Sequence, residues 1–115
     1  LPAYLPIEKI SFSCCGEASF NEQIMRLGKK KLIVTGMETH ICVAQTALDL
    51  LGRGYRVQVV ADACCSRDGE IHAVALDRLR TAGVVVTVTE SVLYEAVGVA
   101  ATDEFRALLE IVKGV

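Results

Sequence analysis

Among the 115 residues, the side chain best placed for covalent chemistry is Cys42. It ends the segment Leu32-Ile33-Val34-Thr35-Gly36-Met37-Glu38-Thr39-His40-Ile41-Cys42, which reads as a buried strand, a tight turn and a helix start. With Thr39 as the N-cap, Cys42 is the third helical residue, among free backbone N–H groups at the positive end of the helix dipole. That setting favours thiolate over thiol, the form a cysteine nucleophile needs. The same N–H groups can stabilise an oxyanion. The plainer account is a small buried hydrophobe, since cysteine is among the most buried residue types.

Other polar residues carry weaker signals. His40 stands two positions before Cys42, and such positions do not face each other on a helix, so it lines a pocket or sits on a surface turn. His72 falls mid-helix and is expected to be exposed. Two isolated histidines make no metal site, and neither a metal nor another cofactor is expected. Asp62 and Ser66 lie at a strand exit as turn and cap residues. Arg67 is a solvated helix-start residue or an anion contact, and Phe12 and Tyr94 are pocket or core aromatics. The five cysteines form two vicinal pairs, Cys14-Cys15 and Cys64-Cys65, plus Cys42. Vicinal cysteines rarely bond each other without strain, and the pattern is neither a disulfide framework nor a zinc site. It suits a reducing, cytoplasmic compartment.

The elements that must position these residues alternate. The apolar, β-branched runs 32–35, 57–61 and 84–89 are near-continuous, as strands buried on both faces are. Helical patterns lie between them, the signature of parallel βαβ crossovers. Ser19-Phe20-Asn21-Glu22 fits a capping box before a short helix ending near Gly28. A helix over 39–51 stops at Gly52 and Gly54 and turns Val43, Ala47, Leu50 and Leu51 to the sheet. A third, over 68–82, points Ile71, Val74, Ala75 and Leu79 inward and stops at Gly83. Thr89 or Ser91 opens a helix through Val97. The last begins at Thr102, with Asp103 and Glu104 complementing its dipole and a stripe of Phe105, Leu108, Leu109 and Val112. Pro2 and Pro6 favour extended or turn backbone, and 7–12 could be a further strand. Three parallel strands leave long free edges, so the sheet reads as incomplete and association as a homo-oligomer is expected.

Composition limits the function classes. The chain is short enough for one domain over 1–115, and at 52% apolar and 23% charged residues it buries a core. A net charge of -2 gives no reason to propose nucleic acid or an anionic membrane as partner. The run Lys29-Lys30-Lys31 reads as a solvated loop. No apolar stretch reaches the roughly 18–20 residues that span a bilayer, and the start does not read as a signal peptide.

The stretch Val34-Thr35-Gly36-Met37-Glu38-Thr39-His40-Ile41-Cys42-Val43, continuing through Thr46-Ala47-Leu48-Asp49-Leu50-Leu51 and Gly54-Tyr55, resembles the nucleophile segment of the isochorismatase-like cysteine hydrolases. Val57-Gln58-Val59-Val60-Ala61-Asp62-Ala63-Cys64-Cys65-Ser66-Arg67 is similar to that family's V-V-x-D-A-x-x-S segment, and Glu8-Lys9-Ile10-Ser11-Phe12-Ser13 to its E-K-x-x-F-S segment. The subgroup it most resembles is the isochorismatase-domain-containing proteins. The resemblance implies a three-layer α/β/α Rossmann-like fold with a mainly parallel sheet. It also implies a catalytic group of Asp, Lys and Cys, of which Lys9 and Cys42 match. It places a cis peptide bond between Met37 and Glu38 and an oxyanion hole at the N–H groups of Glu38 and Cys42. The Asp belongs to a D-x-Q-type segment upstream of the lysine and matches nothing here, so the chain reads as the C-terminal two-thirds of the domain.

The leading expectation is a hydrolase in which Cys42 attacks a carbonyl or imine carbon of a small amide-like substrate, the chain alone being nearly inactive without the Asp. The alternatives are a catalytically silent interaction module and a redox sensor using the vicinal cysteines. A nucleotide-binding domain is disfavoured, since no G-x-G-x-x-G follows a strand.

Overall fold

The computed structural model describes residues 5–114; Pro2 lies outside them. Three parallel strands, β1 (Lys31–Met37), β2 (Arg56–Cys65) and β3 (Val85–Thr87), are ordered β1-β2-β3. The helices are α1 (Ala18–Leu27), α2 (Ala44–Gly52), α3 (Gly69–Ala82), α4 (Thr89–Val97) and α5 (Asp103–Lys113). A 3₁₀ turn, Cys14–Gly16, precedes α1, and a π-helical turn, Thr39–Val43, joins β1 to α2. The chain is an α/β protein with helices on both faces of a parallel sheet.

Alternation along β2 sorts the two layers. Val57 and Val59 are buried in one cluster with Val43, Ala44, Ala47 and Leu50 before and within α2, Leu76 and Leu79 of α3, and Val84. Val60 and Asp62 belong to the other face, where Asp62 Oδ1 accepts the N–H and the hydroxyl of Thr89 at the start of α4, both at 2.8 Å. Ala47 and Leu79 are fully buried. Burying a leucine of this kind stabilises the fold by about 1.5–3 kcal/mol.

Several expectations give way to local bonding. Residues 7–12 join no ladder and form a bent loop. Helix α1 begins at Ala18 with Glu17 in the cap position, so Ser19 lies inside the first turn. Glu17 instead spends its carboxylate on the Ile10 N–H, 3.3 Å away. Thr39 caps nothing. The chain enters the helix through a wider π turn, and Thr39, with no exposed surface, is hydrogen-bonded through Oγ1 to His72 Nδ1 at 2.8 Å. That bond half-buries His72, which the helical pattern had put in solvent. Helix α3 turns Leu76, not Val74, to the core. Helix α4 begins at Thr89 and runs to Val97. Asp68 and Thr102 do cap α3 and α5, accepting the N–H groups of Ile71 and Phe105. No helix among the described residues is long and apolar enough to cross a membrane.

Candidate active site

The candidate site lies at the carboxyl end of β1, the end at which open α/β sheets bind ligands. β1 and β2 stay in register from Lys31 to Val34, then shift, so that Gly36 pairs with Cys64 and Met37 with Cys65. Gly36 sits at φ +126°, a backbone value that side-chain-bearing residues rarely adopt. The following peptide bond, Met37–Glu38, is cis. The Glu38 carbonyl then accepts the N–H groups of Ile41 and Val43, at 3.1 and 3.2 Å. The amides of Glu38 and Cys42 stay out of that pairing.

Cys42 lies in the π turn, half-buried, rather than third in an α-helix. It faces a cavity of about 190 Å³ lined by Lys9, Cys14, Val34, Thr35, Gly36, Met37, Cys42, Val43 and Thr46. The loop over 7–12, which the sequence left open as a further strand, reaches it with one side chain. Lys9 Nζ donates to the carbonyls of Ser11 at 2.8 Å and Phe12 at 2.9 Å, and to Cys42 Sγ at 3.6 Å. The ammonium has three donors and all three are used. Two carbonyls hold it, and the third donor points at a sulfur 33 residues away in sequence.

The structure brings Lys9, Met37 and Cys42 together and turns the side chains of the other candidates away from them. Phe12 lies outside the cavity and is 61% exposed, because the loop turns its carbonyl inward to Lys9 and the ring out. Glu38 uses its carboxylate on the Arg67 N–H, 2.8 Å away, bracing the exit of β1 against that of β2. His40 turns toward the same exit, with Nδ1 2.9 Å from Ser66 Oγ. It lines a different, larger cavity of about 400 Å³ over α3, with Ala44, Glu70, Ile71, Val74, Ala75 and Arg78. Tyr94 stacks edge-on against Phe105, centroids 6.1 Å apart, away from the cysteine.

Cys14 and Thr46 enter the cavity without having been read as site residues. The Cys14 N–H donates to Thr46 Oγ1 at 2.9 Å, and Ser13 Oγ donates to Asp49 Oδ2 at 2.6 Å. These bonds clamp the 3₁₀ turn onto α2. The only sequence signal was that positions 42, 46 and 49 share a helix face. Of the remaining thiols, burial pushes those of Cys15 and Cys64 up from the ordinary cysteine value.

The chain is similar to known proteins in both sequence and fold. Isochorismatase domain-containing protein 1 of Danio rerio is 42% identical over 86 residues, 75% of this chain and 30% of its own length. The structure of the MAR1 ribonuclease from Caenorhabditis elegans superposes with a TM-score of 0.80 at 31% identity, covering 89% of this chain and 52% of that one. YcaC from Pseudomonas aeruginosa, solved with hexane-2,5-diol and covalent acrylamide, superposes with a TM-score of 0.80 at 28% identity, covering 90% and 51%. The chain thus spans about a third to a half of the length of these relatives. The isochorismatase domain matches residues 2–91, well over half of the chain. On that match, and on the strand-to-helix turn it contains, the chain belongs to the isochorismatase family.

Proposed function

We propose that this chain carries the nucleophile and its cation for a cysteine hydrolase acting on small amide-like substrates. The observation that carries the reading is the contact of Lys9 Nζ with Cys42 Sγ at the carboxyl end of β1. An ammonium against the sulfur holds the negative charge of a thiolate before attack. The thiolate adds to the amide carbonyl carbon, and the N–H groups of Glu38 and Cys42 receive the oxyanion. Collapse expels the amine, which takes a proton from solvent as it leaves, and the Cys42 thioester that remains is then hydrolysed by water. Activation of that water needs a general base, and the cavity's described lining holds no carboxylate. This chain alone is therefore expected to acylate faster than it turns over.

The small cavity supports a small substrate. The covalent acrylamide on YcaC shows that a related fold accommodates an amide-bearing electrophile. RNA, suggested by the MAR1 ribonuclease, is disfavoured. Among the described lining residues Lys9 is the only cation, it is already bonded to two carbonyls, and the chain is net acidic.

The test is labelling of the full chain with acrylamide or a small activated ester, with peptide mapping of the adduct. Modification is expected on Cys42 first, lost in Cys42→Ala. Equal labelling of the exposed Cys65, or labelling that Cys42→Ala leaves unchanged, rejects the reading. So does cleavage of an RNA oligonucleotide without any acylation.

A further inference from the structure

Two thiols, not one, face the candidate active-site cavity. Cys14 and Cys42 both line it, and both are partly accessible. Cys14 is fixed there by the Thr46 hydroxyl, which lies four residues after Cys42 on one side of the same helical run. The vicinal pairs lack this arrangement. Cys64 and Cys65 are consecutive in β2, so their side chains leave opposite faces of the sheet. Cys15 is turned into the core, away from its neighbour.

We propose that Cys14 and Cys42 are a peroxide-modification site in which Cys42 is oxidised and Cys14 resolves it. A hydroperoxide supplies the oxidant. The Cys42 sulfur attacks the distal peroxide oxygen, an S–O bond forms as the O–O bond breaks, and two electrons pass from sulfur to the peroxide. The thiol proton leaves with the alkoxide or hydroxide as alcohol or water, giving a Cys42 sulfenic acid. The Cys14 sulfur then attacks Cys42. An S–S bond forms as the S–O bond breaks, and hydroxide leaves with the Cys14 proton as water. The Lys9 ammonium at Sγ stabilises the attacking thiolate. The disulfide occupies the nucleophile and closes the cavity to substrate until a thiol reduces it. The site shares Cys42 and Lys9 with the proposed hydrolase, yet its chemistry does not depend on hydrolysis.

The experiment is treatment of the full chain with one equivalent of hydrogen peroxide, followed by alkylation and tryptic mapping without reductant. Trypsin separates the cysteines into peptides 10–26 (Cys14, Cys15), 32–53 (Cys42) and 57–67 (Cys64, Cys65). Two of the five thiols should disappear. Peptide 10–26 should link to 32–53, with fragmentation placing the bond on Cys14, and dithiothreitol should reverse it. Cys14→Ser, and independently Cys14→Ala, should leave a Cys42 sulfenic acid that dimedone traps and that excess peroxide drives to the sulfinic acid. A link involving 57–67, a link through Cys15, a bond between two chains, or equal dimedone trapping in wild type and Cys14→Ser would each overturn the proposal. Because the readout is thiol chemistry, a protein that hydrolyses nothing can still pass this test, and an active hydrolase can fail it.

Discussion

A lysine held by two backbone carbonyls is an expensive way to place one charge, since the side chain gives up its rotamer freedom to be fixed. What Lys9 gains in exchange is an ammonium aimed at Cys42. The two duties separate by substitution. Lys9→Gln keeps a donor for a carbonyl and removes the charge, so alkylation of Cys42 by a neutral electrophile should slow about tenfold, a loss near 1.4 kcal/mol for a partly exposed charge-assisted bond. Lys9→Met removes both and should also lower Tm. Stopped alkylation with mass spectrometry reads the first effect, and a Lys9→Gln rate equal to wild type would remove the charge from the mechanism. Cys42 was legible in the sequence because a strand, a turn and a helix start in succession leave few places for the residue between them. Lys9 was legible only through resemblance, for no periodicity marks a residue whose position depends on two carbonyls. Cys14 was read as half of a vicinal pair, and its bond to Thr46 spans 32 residues with no local signature.

Strands β1 to β3 were visible as apolar, β-branched runs, although only β2 is well buried, and the glycines marked where α1 and α3 stop. The loop over 7–12 misled because its β-rich composition was set against the demands of Lys9 and Glu17, which fold the backbone around a cation and a carboxylate. Thr39 misled in a similar way. A threonine before a helix reads as a cap, but its hydroxyl is buried against His72. Thr39→Val keeps the shape and strands the imidazole nitrogen, so denaturant unfolding should show a loss of about 1–3 kcal/mol; a neutral result would mean that water replaces the bond freely. The junction of β2 with α4 is instead closed by charge. Asp62 is held below the usual carboxylate range, first by the Thr89 N–H and then by its hydroxyl. A carboxyl whose folded pKa is depressed stabilises above its unfolded value, near 4, and loses that contribution as pH falls through the folded value. Asp62→Asn should therefore lower Tm at pH 7, and the gap from wild type should narrow as pH falls below about 4. Thermal melts from pH 7 downward check it, and a gap that does not change with pH would assign the effect to shape alone.

On the scale of the whole molecule, the two faces of the sheet are unequally covered. α2 and α3 pack on one side and bury the valines of β2. On the other side α4 lies over β2, and its described link to β1 is the weak Lys31–Glu95 pair at 3.9 Å. Ile33 is 48% exposed and Met37 68% exposed, although parallel sheets are ordinarily buried on both faces. β1 also ends the sheet, and among the described residues no strand pairs with its outer edge. An edge with free N–H and C=O groups beside bare apolar side chains is a template for pairing with another chain. A second copy of this chain presents the same edge, so self-association is expected, and with it partial shielding of the Met37 side of the cavity. Sedimentation velocity should show the mean mass rising with protein concentration. Ile33→Lys places a charge in the middle of the bare face, where it disfavours edge pairing and should shift the distribution toward one chain per particle. Ile33 does not line the cavity, so the intrinsic alkylation rate of Cys42 should persist in the dissociated species. A single unchanging mass for the wild type at every concentration would show that this edge does not pair with itself. A drop in Cys42 reactivity on dissociation would show that the neighbouring copy helps to form the site.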